Sequence, residues 1–314
     1  MDKYLVTGGA GFIGSNIVKE IINRGEFARV LDNFSTGKRE NISEFEGNKN
    51  FELIEGDIRS YHTVWEAVKG TDYILHQAAL PSVPRSIKDP LTTNDVNING
   101  TLNILEAAKE FKVKRVVYAS SSSVYGNSKV SPKNEDMPVN PLSPYALSKY
   151  AAERYMQIYY NLYGVETVCL RYFNVFGPNQ DPNSEYSAVI PKFIKSIIKS
   201  ESPIIYGDGT QSRNFTYVKN TVEANLLACK AENVVGRVYN IACGKSYSLN
   251  ELVHEINLIL NKDIKAKYEA ERIGDIKYSK ADITKIQNEM GFKPVIEFKE
   301  GLRETIKFLR IFLL

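Results

Sequence analysis

Ten residues near the start, V-T-G-G-A-G-F-I-G-S from Val6 to Ser15, constrain this chain more than any other stretch. They follow a short apolar run, Tyr4-Leu5-Val6. Apolar residues then recur at Phe12, Ile13, Ile17, Val18, Ile21 and Ile22, the spacing of one helix face. The pattern predicts a strand, a tight glycine turn and a helix. At such a helix start the backbone N–H groups and the helix dipole both favour an anion. Gly8 permits the turn, Gly11 lets the backbone approach a pyrophosphate, and Gly14 allows close helix–strand packing. The next apolar run, Arg29-Val30-Leu31, ends in Asp32. A carboxylate there accepts from a ribose diol and repels a 2′-phosphate, which favours NAD over NADP.

The remainder of the chain alternates in the same way. Strands are expected at 51–54, 73–76, 113–119 and 165–170, and helical periodicity at 91–111 and from Tyr145 onward. Apolar strands alternating with helices predict an α/β fold: a Rossmann-type, doubly wound parallel sheet covered on both faces. Beyond Arg171-Tyr172-Phe173-Asn174 the character changes to polar loops and short segments. These include a helix at 189–198, a glycine turn ending in Arg213, helices at 221–229 and 249–260, and a strand at 238–241. The expected division is residues 1–172 as the NAD-binding domain, joined by parts of 215–244. Residues 173–314 would then form a smaller, mixed α/β substrate lobe.

Ligands of such sheets bind beyond the C-terminal strand ends. Gln77-Ala78-Ala79 follows the fourth strand, and small residues there let a cofactor lie against the backbone. Ser120 to Ser123 follow the fifth. Tyr145 and Lys149, four apart, share a helix face. His76 is a candidate base, although a histidine at a strand end more often serves as a core hydrogen-bonding group. Composition removes other classes. A net charge of +3 with interspersed basic residues argues against a nucleic-acid partner. Cys169, Cys229 and Cys243 fit no metal spacing, so no metal is expected, and their sparse, odd count suggests a reducing, cytoplasmic setting. The first strand begins too early for a secretory leader to be expected. No apolar run approaches the ~20 residues needed to span a bilayer.

Taken together, the glycine loop, Asp32 to Gly37, Asp57-Ile58, His76 to Ala79, the serine cluster, Tyr145/Lys149, Arg171 to Asn174 and Arg272-x-Gly274-Asp275 resemble the extended short-chain dehydrogenase/reductase family. Within it they are most similar to the nucleotide-sugar 4-epimerases. The resemblance covers nearly the whole chain. It implies a catalytic triad of Ser121, Tyr145 and Lys149. It implies NAD held by Gly8, Gly11, Phe12, Ile13, Gly14, Asp32, Asn33, Ser35, Thr36, Gly37, Asp57, Ile58, Gln77, Ala78, Ala79, Tyr172 and the Tyr145/Lys149 pair. The UDP-sugar would meet Ser82, Ser121, Ser122, Tyr145, Asn174, Ala188, Val189, Tyr206, Arg213, Arg272, Asp275 and Ser279. Relatives of this kind form homodimers by pairing two helices per subunit in a four-helix bundle. Here those would be 91–111 and 145–163.

Inverting C4 of a hexose requires breaking an unactivated C–H bond, and transient oxidation to a 4-keto sugar does this. Tyr145 would take the hydroxyl proton, Lys149 and the oxidised cofactor lowering its pKa from ~10 to ~7. Dehydrating relatives carry Asp-Glu after the triad serine, and decarboxylating ones keep a glutamate at the second position. Here those positions are Ser122 and Ser123, which favours epimerisation. The stretch from Gly177 to Phe193 looks like the UDP-N-acetylglucosamine 4-epimerase group. Ser279 falls where a tyrosine crowds the C2 substituent in relatives restricted to plain sugars. Interconversion of UDP-GlcNAc and UDP-GalNAc, with some activity on UDP-glucose, is therefore expected. An epimerase confined to plain sugars, a UDP-glucuronate 4-epimerase and a non-catalytic NAD sensor are the alternatives.

Overall fold

The computed structural model describes residues 1–183, 188–271 and 278–313. Its centre is a parallel seven-stranded sheet. The strands are β1 (Lys3–Thr7), β2 (Phe27–Asp32), β3 (Phe51–Glu55), β4 (Tyr73–His76), β5 (Arg115–Ser121) and β6 (Thr167–Tyr172), with β11 (Arg237–Ile241). They lie in the order β11-β6-β5-β4-β1-β2-β3. The direction of winding reverses between β1 and β4, and the two strand ends there open the crevice in which such sheets bind ligands.

Two apolar layers hold the helices to this sheet, and the strands supply both. Tyr4 and Val6 of β1 belong to one core and Leu5 to the other; Val117 and Ala119 of β5 alternate in the same way with Val116 and Tyr118. This is why these strands read as continuous apolar runs instead of alternating ones. α2 (Tyr61–Val68), α5 (Gly100–Glu110) and α6 (Pro144–Tyr163) cover one face, while α1 (Phe12–Asn23) and α8 (Val218–Lys230) cover the other.

The segment read as one helix over 91–111 is broken. α3 (Val83–Lys88) and α4 (Pro90–Asn94) are followed by a π-helical turn at Asp95–Asn99 and then by α5. The π turn places Val96 in the crevice while Asn97 is buried behind it. A widened turn of this sort recurs next to functional sites.

The smaller lobe is assembled from short pieces: β7 (Val175–Phe176), α7 (Val189–Ile198), β8 (Ile204–Tyr206), β9 (Ser212–Arg213), β10 (Thr216–Tyr217), β12 (Tyr247–Ser248), α9 (Leu249–Leu260), β13 (Lys267–Glu269), β14 (Tyr278–Ser279), α10 (Thr284–Met290) and α11 (Phe298–Leu313). α9 carries a capping box, Ser248 with Glu251, which fixes its start as the sequence indicated. Phe176, Phe215, Tyr217 and Phe298 form an aromatic cluster with ring centres 5.6 to 6.4 Å apart. It roots the lobe against the end of β6. No described helix is long and apolar enough to cross a membrane.

Candidate active site

The glycine turn shapes the crevice. Gly8 sits at φ +68°, and a Cβ on it would lie 2.8 Å from the Ala78 backbone. A Cβ on Gly14 would lie 2.1 Å from the Gly8 carbonyl oxygen. The close approach that Gly14 permits is thus to its own turn, not to the strand. Gly11 is the N-cap of α1 and offers no side chain to the first-turn amides. Those amides are left for an anionic ligand. This uncapped, side-chain-free turn is what a dinucleotide pyrophosphate requires, and the walls around it fit the rest of such a cofactor.

Every residue expected to touch NAD lines this one cleft except Gly37, which packs beside Ala10 and the Asp32 carboxylate. Asp32 accepts from the amides of Ala10 at 2.9 Å and Phe34 at 2.8 Å. Burial raises its pKa against those two bonds. Each carboxylate oxygen keeps a further lone pair for a ribose hydroxyl. Asp57 is held by Arg59 and by Asn33 Nδ2 at 2.8 Å, and its pKa is pulled down to about 2. Leu80, Pro81, Val96 and Ser120 also line the cleft and were not anticipated. Ser120 stood within the quoted serine cluster. Val96 was hidden because a regular helix would have aimed it elsewhere.

Tyr145 and Lys149 rise from the first turns of α6, whose start is set by the Ser143 cap and Pro144 at the first position. Lys149 Nζ donates to the Ala119 carbonyl at 2.8 Å and lies 4.9 Å over the Tyr118 ring. Burial pushes it down to about 7, while the Glu153 carboxylate works the other way. Burial also raises Tyr145, with hydrogen bonding from Ser121 opposing. In the chain alone desolvation of both groups dominates, so the lowered phenol expected from Lys149 and the oxidised cofactor together calls for the cofactor's charge as well. Ser121 accepts from the Ser123 hydroxyl at 2.9 Å and from its amide at 3.2 Å. Its own proton is directed at the Tyr145 phenol. Ser122 opens the 3₁₀ turn that follows.

His76 is not a base of this site. It is fully buried between Thr7 Oγ1 at 2.7 Å and Thr101 Oγ1 at 3.0 Å. The Thr101 hydroxyl donates to the Asn97 carbonyl, so it accepts from Nε2–H, and Nδ1 accepts from Thr7. Desolvation and the Lys149 charge hold the ring neutral, with a pKa near 3.

Two residues past Tyr172 a second cavity opens. Asn174, Ala188, Val189, Tyr206 and Arg213 line it, joined by Phe193, Gln211, Phe215 and Leu249. It offers flat apolar walls, amide groups and a cation. Phe193 lies on the same face of α7 as Ile190 and could have been found from that periodicity. Ser279, 9% exposed, lies on β14 directly opposite Arg213 of β9. Ser82 caps α3 with φ +97° and accepts from the Arg85 amide at 3.3 Å. Arg272 and Asp275 lie outside the described residues.

The sequence profile of the NAD-dependent epimerase/dehydratase family matches residues 4–242. Among curated proteins, a UDP-glucose 4-epimerase of Mycolicibacterium smegmatis is 36% identical over 310 residues, covering 98% of each chain. Among solved structures, a UDP-N-acetylglucosamine 4-epimerase from Methanobrevibacter ruminantium, in complex with UDP-N-acetylmuramic acid, superposes with a TM-score of 0.94. It is 44% identical and covers 99% of this chain and 98% of its own. A Thermus thermophilus UDP-glucose 4-epimerase in complex with NAD gives 0.88 at 35% identity, covering 98% and 99%.

Proposed function

Because the chain belongs to the NAD-dependent epimerase/dehydratase family, we propose that it is a UDP-hexose 4-epimerase acting on UDP-GlcNAc and UDP-GalNAc, with UDP-glucose and UDP-galactose as further substrates. The observation that carries this reading is the proton inventory at the end of β5. Tyr145 and Lys149 line the cleft, Ser121 hydrogen-bonds to Tyr145 from behind its wall, and the next two side chains, Ser122 and Ser123, are not acids. Elimination of water from the sugar needs an acid and a base beyond the triad. Here the Ser123 hydroxyl is committed to Ser121. What remains can move one proton at one hydroxyl.

NAD, when bound, supplies the transient oxidation at C4. The chain's own residues do the rest. Ser121 donates to the C4 oxygen and fixes its distance from the Tyr145 phenol. Tyr145 removes the hydroxyl proton and later returns it, and Lys149 anchors the wall through the Ala119 carbonyl. The second cavity takes the nucleotide. Val189, Phe193 and Leu249 accept the base, and Arg213 faces the diphosphate. The small Ser279 side chain, paired opposite Arg213, is the ground for an acetamido substrate. The exposed stripe Leu147, Ile158 and Leu162 on α6, with Leu91 on α4, supports a homodimer through paired helices. On the same helix Tyr155 and Tyr159 pack against the core.

The test is incubation with UDP-GlcNAc, UDP-glucose and UDP-glucuronate, followed by separation of epimers. Interconversion of the acetylated pair is expected. Turnover of the plain pair alone overturns the acetylated preference, and no turnover of any overturns the epimerase.

A further inference from the structure

Behind the wall that carries Tyr145 and Lys149 lies a charge cluster that the proposed chemistry does not use. Glu153 stands one turn past Lys149, so residues 145, 149 and 153 share a face of α6. Its side chain is 1% exposed, and that of Arg171, at the end of β6, 4%. Arg171 Nε donates to Glu153 Oε1 at 2.9 Å and Nη2 to Oε2 at 2.8 Å. Ser120 Oγ also donates to Oε1. The guanidinium lies 4.7 Å over the Tyr125 ring.

Each partner adjoins a residue of the site: Ser120 precedes Ser121, Arg171 precedes Tyr172, and Glu153 follows Lys149. A buried ion pair adds little net stability over an apolar pair of the same volume. What this one adds is a fixed anion near a buried ammonium and a tie between three segments. Among the described residues Lys149 meets no competing anion. From β5 it faces the Tyr118 ring and the Ala119 carbonyl, from β4 neutral His76, and from its own helix the Tyr145 phenol. On β6, burial keeps the Cys169 thiol protonated and Arg171 is spent on Glu153.

We infer that Glu153 is a positioning residue: held by Arg171 and Ser120, it keeps the Lys149 ammonium charged and locks the strand ends bearing Ser121 and Tyr172 to α6. Its consequence for turnover rests on the epimerase reading; its effect on Lys149 does not. The test compares wild-type and Glu153→Gln enzyme, both carrying NAD and free of substrate. The ¹³Cε resonance of Lys149, assigned by its absence from Lys149→Arg, is titrated against pH. Loss of the carboxylate is expected to lower the midpoint by about one unit. In substrate assays kcat then falls about fivefold at the wild-type midpoint, approaching about tenfold above it, while KM holds. If Glu153→Gln does not fold, the double variant Glu153→Met/Arg171→Met leaves no unpaired charge and should lower the midpoint in the same direction by a smaller amount, because the Arg171 cation leaves with the carboxylate. An unmoved midpoint in the folded variant, or an unchanged kcat beside a moved one, overturns the inference. Absence of turnover in the wild type would sink the epimerase reading and leave the titration standing.

Discussion

Gly14→Ala is a small change whose effect can be worked from the backbone. The added Cβ would stand 2.1 Å from the Gly8 carbonyl oxygen, 2.8 Å from Gly9 Cα and 2.9 Å from Gly8 C, where ordinary contact begins at 3.4 Å. All three neighbours are backbone, so no side chain can swing aside. Either the turn or the first turn of α1 must move. Overpacking of this kind costs about 1–3 kcal/mol. Alanine in the helix returns about 1 kcal/mol. The net change in stability is therefore small, about 0–2 kcal/mol. Cofactor affinity is the sharper readout. A hydrogen bond from a first-turn amide to a charged group is worth about 1.5–3 kcal/mol. Losing one weakens NAD binding by roughly 10- to 150-fold.

The assay is calorimetric NAD titration of the stripped protein, with thermal melting in parallel. Gly25→Ala is the control: unlike helical Gly14 it has a positive φ, +75°, and it has open space around the new Cβ. It should lower the melting temperature slightly and leave NAD affinity alone. If Gly14→Ala binds NAD as wild type does, the turn is not the pyrophosphate site and the cleft has been misread.

Tyr145→Phe should cost about 10²- to 10⁴-fold in kcat with the NAD complement intact; retained turnover would remove the phenol from the mechanism. Ser279→Tyr should abolish turnover of the acetylated pair and spare UDP-glucose, as product analysis would show; unchanged acetylated turnover would place the C2 pocket elsewhere. Leu162, 70% exposed, should sit in the dimer seam. Leu162→Glu should yield monomer by light scattering, and a dimer that persists refutes the pairing. His76 has a folded pKa near 3 against 6.5 unfolded, so only the unfolded chain gains a proton between those values. Stability is consequently lost as pH falls from 6.5 toward 3. His76→Asn should flatten that slope by up to about 1.4 kcal/mol per pH unit in urea titrations. Equal slopes in both proteins would show that His76 titrates normally.

What the sequence revealed of this fold follows from how locally each feature is determined. Val189–Ile198 and Leu249–Leu260 stand at their expected bounds because apolar periodicity and, in the second, a capping box act within a few residues. The strands were visible because both their faces are buried. Strand order was not: residues 237–241 read as a strand, but pairing beside β6 depends on contacts more than sixty residues away in sequence. The π turn at Asp95–Asn99 was missed because its apolar residues keep a helical spacing, and one extra residue per turn leaves no mark in composition.

Two positive charges, Lys149 and the oxidised cofactor, were expected to lower the Tyr145 phenol, and the folded chain shows why Lys149 alone does not suffice. A four-residue spacing places Tyr145 and Lys149 on one face but says nothing of the medium between them. In the folded chain that medium raises the phenol and lowers the amine to about 7. Near neutral pH the phenol is protonated, and the ammonium is only partly charged. A base of useful strength then needs additional positive charge close to Tyr145, and Glu153 behind Lys149 to keep the existing one. A site built this way stays a weak base until the cofactor cleft is filled. On the proposed epimerase chemistry, proton removal would thereby be confined to the state in which the substrate's electrons have somewhere to go.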